Sequence, residues 1–377
     1  MKIIILVRIL WTAGAQKIAI KEARELSLMG HDVELVFLRG KMLPEYENLL
    51  SQIKYTILSE TGKSWLSPIY DYITRKFVPD RGSESRVDYN LIKEFPNYLK
   101  DKNIDYIICH DQLAGLAAYY AFKKYGIRYS VFVHERVSLS TLPLLGKIWY
   151  RYEHMVLSSA TAVFSITDKV GNSVKNLHTV NTTTNYPGMD INTVTPFDQK
   201  ENAIIAVSYW DYGRKPEIYL DVIKNIPNFI LYFVGNFRIG ELEQKFYEEI
   251  KERDLGERVI VKNGLKESDL IDLYQKSKFY VRFGFGEFGL GSAMEPIQNC
   301  VPLIVNKDLG ASGLVEKYSC GLVIDKIDTL EIGEFINKYN VITLYEELQN
   351  NILKLSKDYS WRKHCELLLN PLYSMSV

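Results

Sequence analysis

Two carboxylates flank a glycine-dense turn in the last third of the chain. Glu287 and Glu295 stand eight positions apart, and the turn from Gly284 to Gly291 follows an apolar, strand-like run. When such a turn opens a helix, unpaired backbone N–H groups lie at the positive end of the helix dipole and suit a phosphate or a sugar hydroxyl. With a helix start near Gly289, Glu287 lies in the loop and Glu295 about two turns into the helix, so each could hold one end of an elongated ligand. A solvated loop and a surface helix are the simpler alternative, because a glycine-rich turn alone is a weak signal.

Two histidines follow predicted strands in the first half of the chain. The strand at 105–109 is followed by His110, and the strand at 129–133 by His134 and Glu135. In open parallel sheets, ligands bind at the carboxyl ends of the strands. We therefore expect the two imidazoles to converge on one cleft, whereas a single histidine is more often structural.

A pair of cations stands at a strand-to-helix junction in the second half. Arg214 and Lys215 follow the predicted strand 203–207 and precede Pro216, after which a helix is expected. A compact ammonium beside a helix N-terminus is well placed for a diphosphate. For Arg214, a solvated surface charge is an equally good interpretation.

Strands and helices alternate in both halves of the chain. A buried strand at 3–7, a loop at 8–16 that contains Gly14, a helix at 17–29 and a strand at 33–38 form a βαβ opening, which implies a parallel sheet. A second series begins with the strand at 203–207. The length of 377 residues favours two domains over one.

The composition excludes several functional classes. Lys and Arg (46) balance Asp and Glu (46), so no overall basic field indicates nucleic-acid binding. Four cysteines without CxxC spacing argue against a zinc site or a disulfide framework and favour a reducing compartment. The apolar N-terminal segment is similar to a signal peptide. Arg8 interrupts the apolar run, however, and the predicted βαβ unit requires this segment as its first strand, so we expect no cleavage. No apolar run approaches the roughly 20 residues that span a bilayer.

An aromatic and apolar stripe recurs at helical spacing between Trp65 and Phe77, with Arg75, Arg81 and Arg86 close by. Such a stripe usually packs on its own domain. Contact with a membrane surface or a lipid-linked acceptor is the alternative.

The glycine-dense turn resembles the signature of the family 4 glycosyltransferases, a large retaining group with the GT-B fold. That family has two glutamates with Phe-Gly-Leu between them and a proline seven residues after the second. The matching residues are Glu287, Phe288-Gly289-Leu290, Glu295 and Pro302. Phe-Gly-Leu lies one place closer to the first glutamate than in the family, and Pro296-Ile297 replaces the usual Ala-Met. The spacing from the second glutamate to the proline is intact, which makes Glu295 the better supported of the two.

The resemblance covers nearly the whole chain and implies roles for individual residues. His134 matches a family histidine near the sugar and its leaving phosphate, and His110 matches a second, looser one. Lys215 matches a lysine that binds the donor's diphosphate. Tyr209 stands where the family has the partner arginine, for which Arg214 or Arg282 could substitute. The first glutamate is expected to hold sugar hydroxyls and the second the ribose of the nucleotide.

The resemblance thus gives three groups of candidate site residues. The catalytic candidates are His134, Glu287 and Lys215. The acceptor-side candidates are His110 and Glu135. The donor-binding candidates are Glu295, Arg214, Gly286, Phe288, Gly289, Leu290 and Gly14.

The implied fold is α/β of the GT-B type, in which two Rossmann-like domains with parallel sheets face each other across a cleft. We expect an acceptor-side domain at 1–195, a nucleotide-sugar donor domain at 196–358, and a C-terminal helix at about 359–377 that packs back on the first domain. The implied location is the cytoplasm, with the inner face of a membrane as one option.

The implied reaction transfers a hexose-type sugar, with retention, from a nucleotide-diphosphate sugar to a glycan, a lipid-linked or a small-molecule acceptor. The resemblance also implies that no cofactor or metal is needed, which is consistent with the absence of an Asp-x-Asp motif at a strand end. Two alternatives stay open, a nucleotide-sugar epimerase and a non-catalytic nucleotide- or sugar-binding protein. The second would explain Tyr209 and the shifted Phe-Gly-Leu as marks of lost activity. A two-carboxylate hydrolase is disfavoured, because both glutamates belong to one loop–helix unit.

Overall fold

The chain forms two compact α/β units. A computed structural model describes residues 1–11, 14–60, 89–135, 143–286 and 289–373. The first unit comprises Met1–Pro187 with Trp361–Val377, and the second comprises Gly188–Ser360. The stripe between Trp65 and Phe77, and the candidates Glu287 and Phe288, lie outside the described residues.

The first unit contains a parallel sheet. Its strands are β1 (Lys2–Leu10), β2 (Asp32–Gly40), β3 (Lys54–Ile57), β4 (Tyr106–His110), β5 (Arg128–Val133), β6 (Ala162–Ser165) and β7 (Thr183–Thr184). Its helices in sequence order are α1 (Gly14–Leu28), α2 (Pro44–Leu50), α3 (Tyr89–Tyr98), α4 (Gln112–Tyr125), α5 (Pro143–Ser159) and α6 (Asp168–His178). The described strands pair in the order β3-β2-β1-β4-β5-β6-β7. The central strands are continuous apolar runs, as expected for a parallel sheet buried on both faces.

The second unit repeats this plan. Its strands are β8 (Glu201–Val207), β9 (Ile230–Val234), β10 (Val259–Lys262), β11 (Ser277–Arg282), β12 (Leu303–Asn306) and β13 (Gly321–Ile324). Its helices are α7 (Glu217–Lys224), α8 (Gly240–Glu252), α9 (Glu267–Lys276), α10 (Met294–Gln298), α11 (Ser312–Tyr318), α12 (Thr329–Tyr339) and α13 (Ile342–Asp358). The described strands pair in the order β10-β9-β8-β11-β12-β13, all parallel. The prediction of two Rossmann-like domains with parallel sheets is therefore confirmed.

The last helix, α14 (Trp361–Tyr373), returns to the first unit, where it packs against α1. The side-chain amide of Asn185 donates a hydrogen bond to the carbonyl of His364 at 3.2 Å and so ties this helix to the chain after β7. Among the described residues, no helix is both long enough and apolar enough to cross a bilayer.

Each sheet has one point at which its strand order reverses. In the first sheet this point lies between β1 and β4, and in the second between β8 and β11. Neighbouring crossover connections leave in opposite directions there, so a crevice opens at the carboxyl ends of the two strands. His110 ends β4, and the glycine-dense turn follows β11. Both sets of predicted site residues therefore belong to switch points.

The loop after β9 approaches the loop after β8 so closely that Gly235 has no room for a side chain. Gly235 has φ +116°, and an added Cβ would lie 1.7 Å from the carbonyl oxygen of Ser208. We expect Gly235→Ala to lower the free energy of unfolding by about 3 kcal/mol or more, from backbone strain and displacement of the neighbouring loop. Urea denaturation measures the change. The matched control is Gly240→Ala at the start of α8, where no atom lies within 4 Å of the added Cβ. Equal effects of the two substitutions would contradict the close approach.

Candidate functional site

Backbone hydrogen bonds join the loop after β8 to the loop after β9. The Ser208 amide donates to the Val234 carbonyl at 3.1 Å, and the Trp210 amide to the Asn236 carbonyl at 2.9 Å. In return the Arg238 amide donates to the Trp210 carbonyl at 2.9 Å. The two loops therefore form one surface beside the switch point of the second sheet.

Three cations lie on this surface, and two of them are next to one carboxylate. The Nη1 atom of Arg214 donates to the Ser208 hydroxyl at 2.6 Å, and its Nε atom lies 3.8 Å from Oδ2 of Asp211. The Nη1 atom of Arg238 lies 3.7 Å from the same Oδ2 atom. Lys215 is exposed, and its Nζ atom lies 4.8 Å from the ring centre of Phe285 in the turn after β11. These loops, as far as they are described, thus present more positive than negative charge at the strand ends.

Arg238 also lies beside Tyr209, at the position where the resemblance implies an arginine. The Tyr209 side chain is 49% exposed, and the guanidinium carbon of Arg238 lies 5.6 Å from its ring centre. Of the two substitutes that the sequence suggested, Arg214 belongs to this surface. Arg282 is fully buried and donates from Nη1 to the Phe283 carbonyl, so its guanidinium does not face solvent.

The glycine-dense turn is held by the loop after β12. The Asn306 side chain accepts from the Gly284 amide at 2.7 Å and donates to the Gly284 carbonyl at 2.8 Å. The Gly310 amide donates to the Gly289 carbonyl at 3.1 Å. Of the other predicted turn residues, Gly286 is exposed and Leu290 is buried. The described part of the turn is therefore a fixed structure beside the charged surface.

The predicted helix start near Gly289 is wrong. Gly291 has φ +61°, which is incompatible with a right-handed helix, so α10 begins only at Met294. Glu295 consequently lies in the first turn of a five-residue helix and not two turns into a long one. Such a short helix has little dipole, which removes the basis for anion binding at this terminus. Glu295 itself is partly exposed.

A serine fastens the turn to the neighbouring strand. The Ser292 hydroxyl donates to the carbonyl of Val207, the last residue of β8, at 2.6 Å. The Ser292 and Tyr280 hydroxyls are 2.7 Å apart, and burial raises the pKa of Tyr280, which keeps it a neutral donor. The turn is thus fixed to β11 and to β8, the strand that Arg214 and Lys215 follow.

The expected convergence of the two strand-end histidines is confirmed. Nδ1 of His110 and Nε2 of His134 are 2.8 Å apart, and their rings stack. Nε2 of His110 lies 2.8 Å from Oε2 of Glu22 on α1. The other oxygen, Oε1, lies 2.7 Å from Nε2 of His364 on α14. The predicted pair is therefore half of a four-residue network.

Burial and charge act on this network in opposite ways. Glu22 is fully buried, which alone would raise its pKa, but electrostatic interactions and hydrogen bonds with His110 and His364 lower it to about 2. Burial lowers the pKa of His134 well below its usual range, and electrostatic interactions with His110 and His364 act in the same direction, although Glu22 opposes this. His134 is consequently neutral near pH 7.

The remaining candidates of the first unit, Glu135 and Gly14, make no recorded hydrogen bond to this network. Glu135 is exposed directly after His134. Gly14 was expected in a loop but is the first residue of α1, with open space around it. Over the described ranges, no three His, Cys, Asp or Glu side chains are grouped so that they could hold a metal ion.

Two sequence models of glycosyltransferase domains match this chain. The model described as Glycosyltransferase Family 4 matches residues 12–193, and the model described as Glycosyl transferases group 1 matches residues 190–354. Together they extend over both units. The chain belongs to the family 4 glycosyltransferases. Its fold is GT-B, as the resemblance of the glycine-dense turn predicted.

Solved glycosyltransferase structures resemble this transferase over its full length at low sequence identity. Anabaena HepE in complex with UDP-glucose has a TM-score of 0.73 at 15% identity and covers 99% of this chain and 100% of its own. Sucrose-phosphate synthase from Thermosynechococcus elongatus has a TM-score of 0.70 at 15% identity, with coverages of 100% and 99%. The lipopolysaccharide outer core galactosyltransferase WaaB in its apo form has a TM-score of 0.69 at 16% identity and covers both chains fully. A search of curated proteins finds no significant sequence match.

Sequence reasoning missed three residues of these two sites in the transferase: Glu22, Arg238 and His364. The signal for two of them was present. Glu22 and His364 occupy buried positions on the apolar faces of α1 and α14, where a polar residue requires a partner. Nothing in the sequence connects Arg238 with Tyr209, since they lie on different loops.

Proposed function

We propose that this glycosyltransferase moves a hexose-type sugar, with retention, from a nucleotide-diphosphate sugar to an acceptor, and that UDP is the nucleotide. The observation that carries the proposal is that Arg214, Lys215 and Arg238 lie on loops beside the switch point of the second sheet. The two arginines are next to Asp211, and the lysine lies over the ring of Phe285. A diphosphate brings two or more negative charges and many acceptor oxygens. Two guanidinium groups and an ammonium complement it.

Such a group of cations suits the chemistry of sugar transfer. As the bond to the sugar breaks, negative charge accumulates on the departing diphosphate beside an oxocarbenium-like sugar. Preorganised cations stabilise that charge more in the transition state than in the ground state, which lowers the barrier. In this proposal Lys215 and the two arginines bind the diphosphate, Glu295 binds the ribose, and Glu287 and His134 contact the sugar.

The choice of UDP is supported by the fold neighbour HepE, which was solved with UDP-glucose. The acceptor class that we propose is a glycan, a lipid-linked or a small-molecule hydroxyl compound. We further propose that the transfer needs no metal, because three side-chain cations can neutralise the diphosphate. A cytoplasmic location is supported by the four cysteines, all of them buried and unpaired thiols.

Calorimetric titration with UDP, GDP and ADP, in a chelator and then with Mg²⁺, tests this proposal. We expect micromolar binding of UDP, about −8 kcal/mol, that is independent of Mg²⁺. Release of UDP from UDP-sugars on addition of acceptors then tests transfer. Failure of all three nucleotides to bind would favour a non-catalytic protein, and binding only with Mg²⁺ would contradict metal independence.

Glu295→Ala is expected to weaken UDP binding about 10- to 100-fold, since a carboxylate that accepts from ribose hydroxyls contributes about 1.5–3 kcal/mol. Thermal unfolding should be nearly unchanged, because the side chain is partly exposed. The control is Glu334→Ala, an exposed carboxylate on α12 of the same unit. Unchanged UDP affinity in the Glu295 variant would mean that the ribose binds elsewhere.

A further inference from the structure

Five groups in the first unit form a continuous row of hydrogen bonds. The row begins at the Tyr186 carbonyl, which lies 2.9 Å from Nδ1 of His364. It continues from Nε2 of His364 to Glu22 at 2.7 Å, from Glu22 to Nε2 of His110 at 2.8 Å, and from Nδ1 of His110 to Nε2 of His134 at 2.8 Å. All but the last residue are buried, so each bond must contain one hydrogen.

Two groups of the row can only accept hydrogen bonds, and they determine where the hydrogens lie. A carbonyl cannot donate, so Nδ1 of His364 carries a hydrogen. Glu22 is ionised, because its pKa of about 2 lies far below neutral pH, and a carboxylate also only accepts. Nε2 of His364 and Nε2 of His110 therefore both carry hydrogens. His364 is consequently an imidazolium, and its charge balances that of Glu22.

The last bond has one hydrogen, on either Nδ1 of His110 or Nε2 of His134. The first choice makes His110 a second imidazolium and leaves a net charge of one in a buried cluster, which costs free energy. The second choice leaves the cluster neutral. The nearby Asp111 carboxylate is paired with Arg8 at 3.6 Å, and burial raises the pKa of the Cys365 thiol, so neither changes this balance.

We infer that Glu22 and His364 are positioning residues that act through His110 to hold His134 in the tautomer with a bare Nδ1. That nitrogen accepts a hydrogen bond, so it binds a substrate hydroxyl and repels a phosphate oxygen. This assignment rests on the proposed sugar transfer and gives His134 a defined part in it, the orientation of a sugar hydroxyl. If the row served only to attach α14 to the sheet, the rate of sugar transfer would not depend on the tautomer of His134.

The tautomers can be read directly in the unaltered protein. Long-range 1H–15N spectra of the full-length chain labelled with 15N-histidine distinguish bare from protonated ring nitrogens. The chain has six histidines, and Gln variants of His31, His154 and His178 assign by elimination those outside the row. At pH 7 we expect two protonated nitrogens in one ring of the row, His364, and a bare Nδ1 in His134. A protonated Nδ1 of His134, or a neutral His364, would overturn the inference.

Two variants of Glu22 separate positioning from packing. Glu22→Gln can accept from His110 with its oxygen and donate to a neutral His364, so the tautomers of His110 and His134 are preserved. Glu22→Met has a similar volume but neither anchors His110 nor pairs His364. We expect the Gln variant to retain kcat within about threefold and the Met variant to lose about tenfold or more, from a misplaced His134. Both should bind UDP as the wild type does, since the nucleotide site lies in the other unit.

The outcomes distinguish this inference from the proposed function. Equal kcat in the Gln and Met variants would show that Glu22 only fills space, and the inference would fail. A Met variant that does not fold leaves the spectra of the wild type as the deciding test. The expected tautomers without any sugar transfer would overturn the proposed function alone. Sugar transfer with a protonated Nδ1 of His134 would overturn the tautomer assignment alone.

Discussion

Lys215→Met is expected to lower kcat/KM for sugar transfer about 100- to 1000-fold, the usual cost of removing one donor that stabilises transition-state charge. Lys215 follows the 3₁₀ turn after β8 with φ +46°, a left-handed conformation that aims an exposed ammonium beside Phe285. Methionine keeps the length of the side chain and the backbone strain, so only the charge is removed. UDP affinity, measured by calorimetry, should fall less than kcat/KM, because the charge on the diphosphate increases as the bond breaks.

The matched control is Lys245→Met, an exposed lysine on α8 of the same unit. It should leave kcat/KM and UDP affinity unchanged. A Lys215 variant with wild-type kcat/KM would show that the diphosphate does not bind at this junction. A variant that loses UDP affinity and kcat/KM equally would indicate binding without selective stabilisation of the transition state.

The stability of the protein is expected to fall by roughly 3 kcal/mol between pH 5 and pH 2 on account of Glu22. Its pKa is about 2 in the folded protein and 4.5 ordinarily, and each pKa unit corresponds to about 1.4 kcal/mol. Because the folded pKa is the lower one, the stabilisation is complete above pH 4.5 and is lost as the pH falls towards 2. His134 also lowers the stability as the pH falls, but at a higher pH. Its imidazole binds a proton near pH 6.5 in the unfolded chain, whereas its lowered pKa keeps it neutral at that pH in the folded protein.

Free energies of unfolding from urea titrations at a series of pH values measure this dependence. Glu22→Gln cannot ionise at position 22, so its stability should vary much less between pH 5 and pH 2 than that of the wild type. Glu25→Gln, a change of another glutamate on the same helix, should retain the wild-type dependence. If the stability of the Glu22 variant had the same pH dependence as that of the wild type, other carboxylates would be responsible for the loss of stability at low pH.

The fold could be predicted because its signals are local. β1 is a run of apolar residues that only a strand buried on both faces accommodates, and the same holds for β4, β5 and β8. Helix boundaries were less certain. The helix that was predicted to begin at Lys17 begins at Gly14, and the positive φ of Gly291, which delays α10, is a property of the folded turn.

The sites were predicted in part for the same reason. His110 and His134 meet because strands that are neighbours in a parallel sheet end at the same edge, and strand ends can be recognised in the sequence. Lys215 and Arg214 were recognised as candidates because they stand at the junction between β8 and the helix after it. The match of Glu295 and Pro302 to the family spacing identified the family, which the two sequence models confirm.

The sequence by itself therefore determined the class of fold, the family and the strand ends where the candidate residues lie. Only the tertiary structure decided which side chains share a hydrogen. Glu22 and His364 are 342 positions apart, and they meet only because α14 packs on α1. Arg238 reaches Tyr209 because two loops pair through their backbones. Periodicity and spacing in the sequence indicate which face of a segment is buried. They do not indicate which residues pair with a buried charge, because those partners can come from any part of the chain.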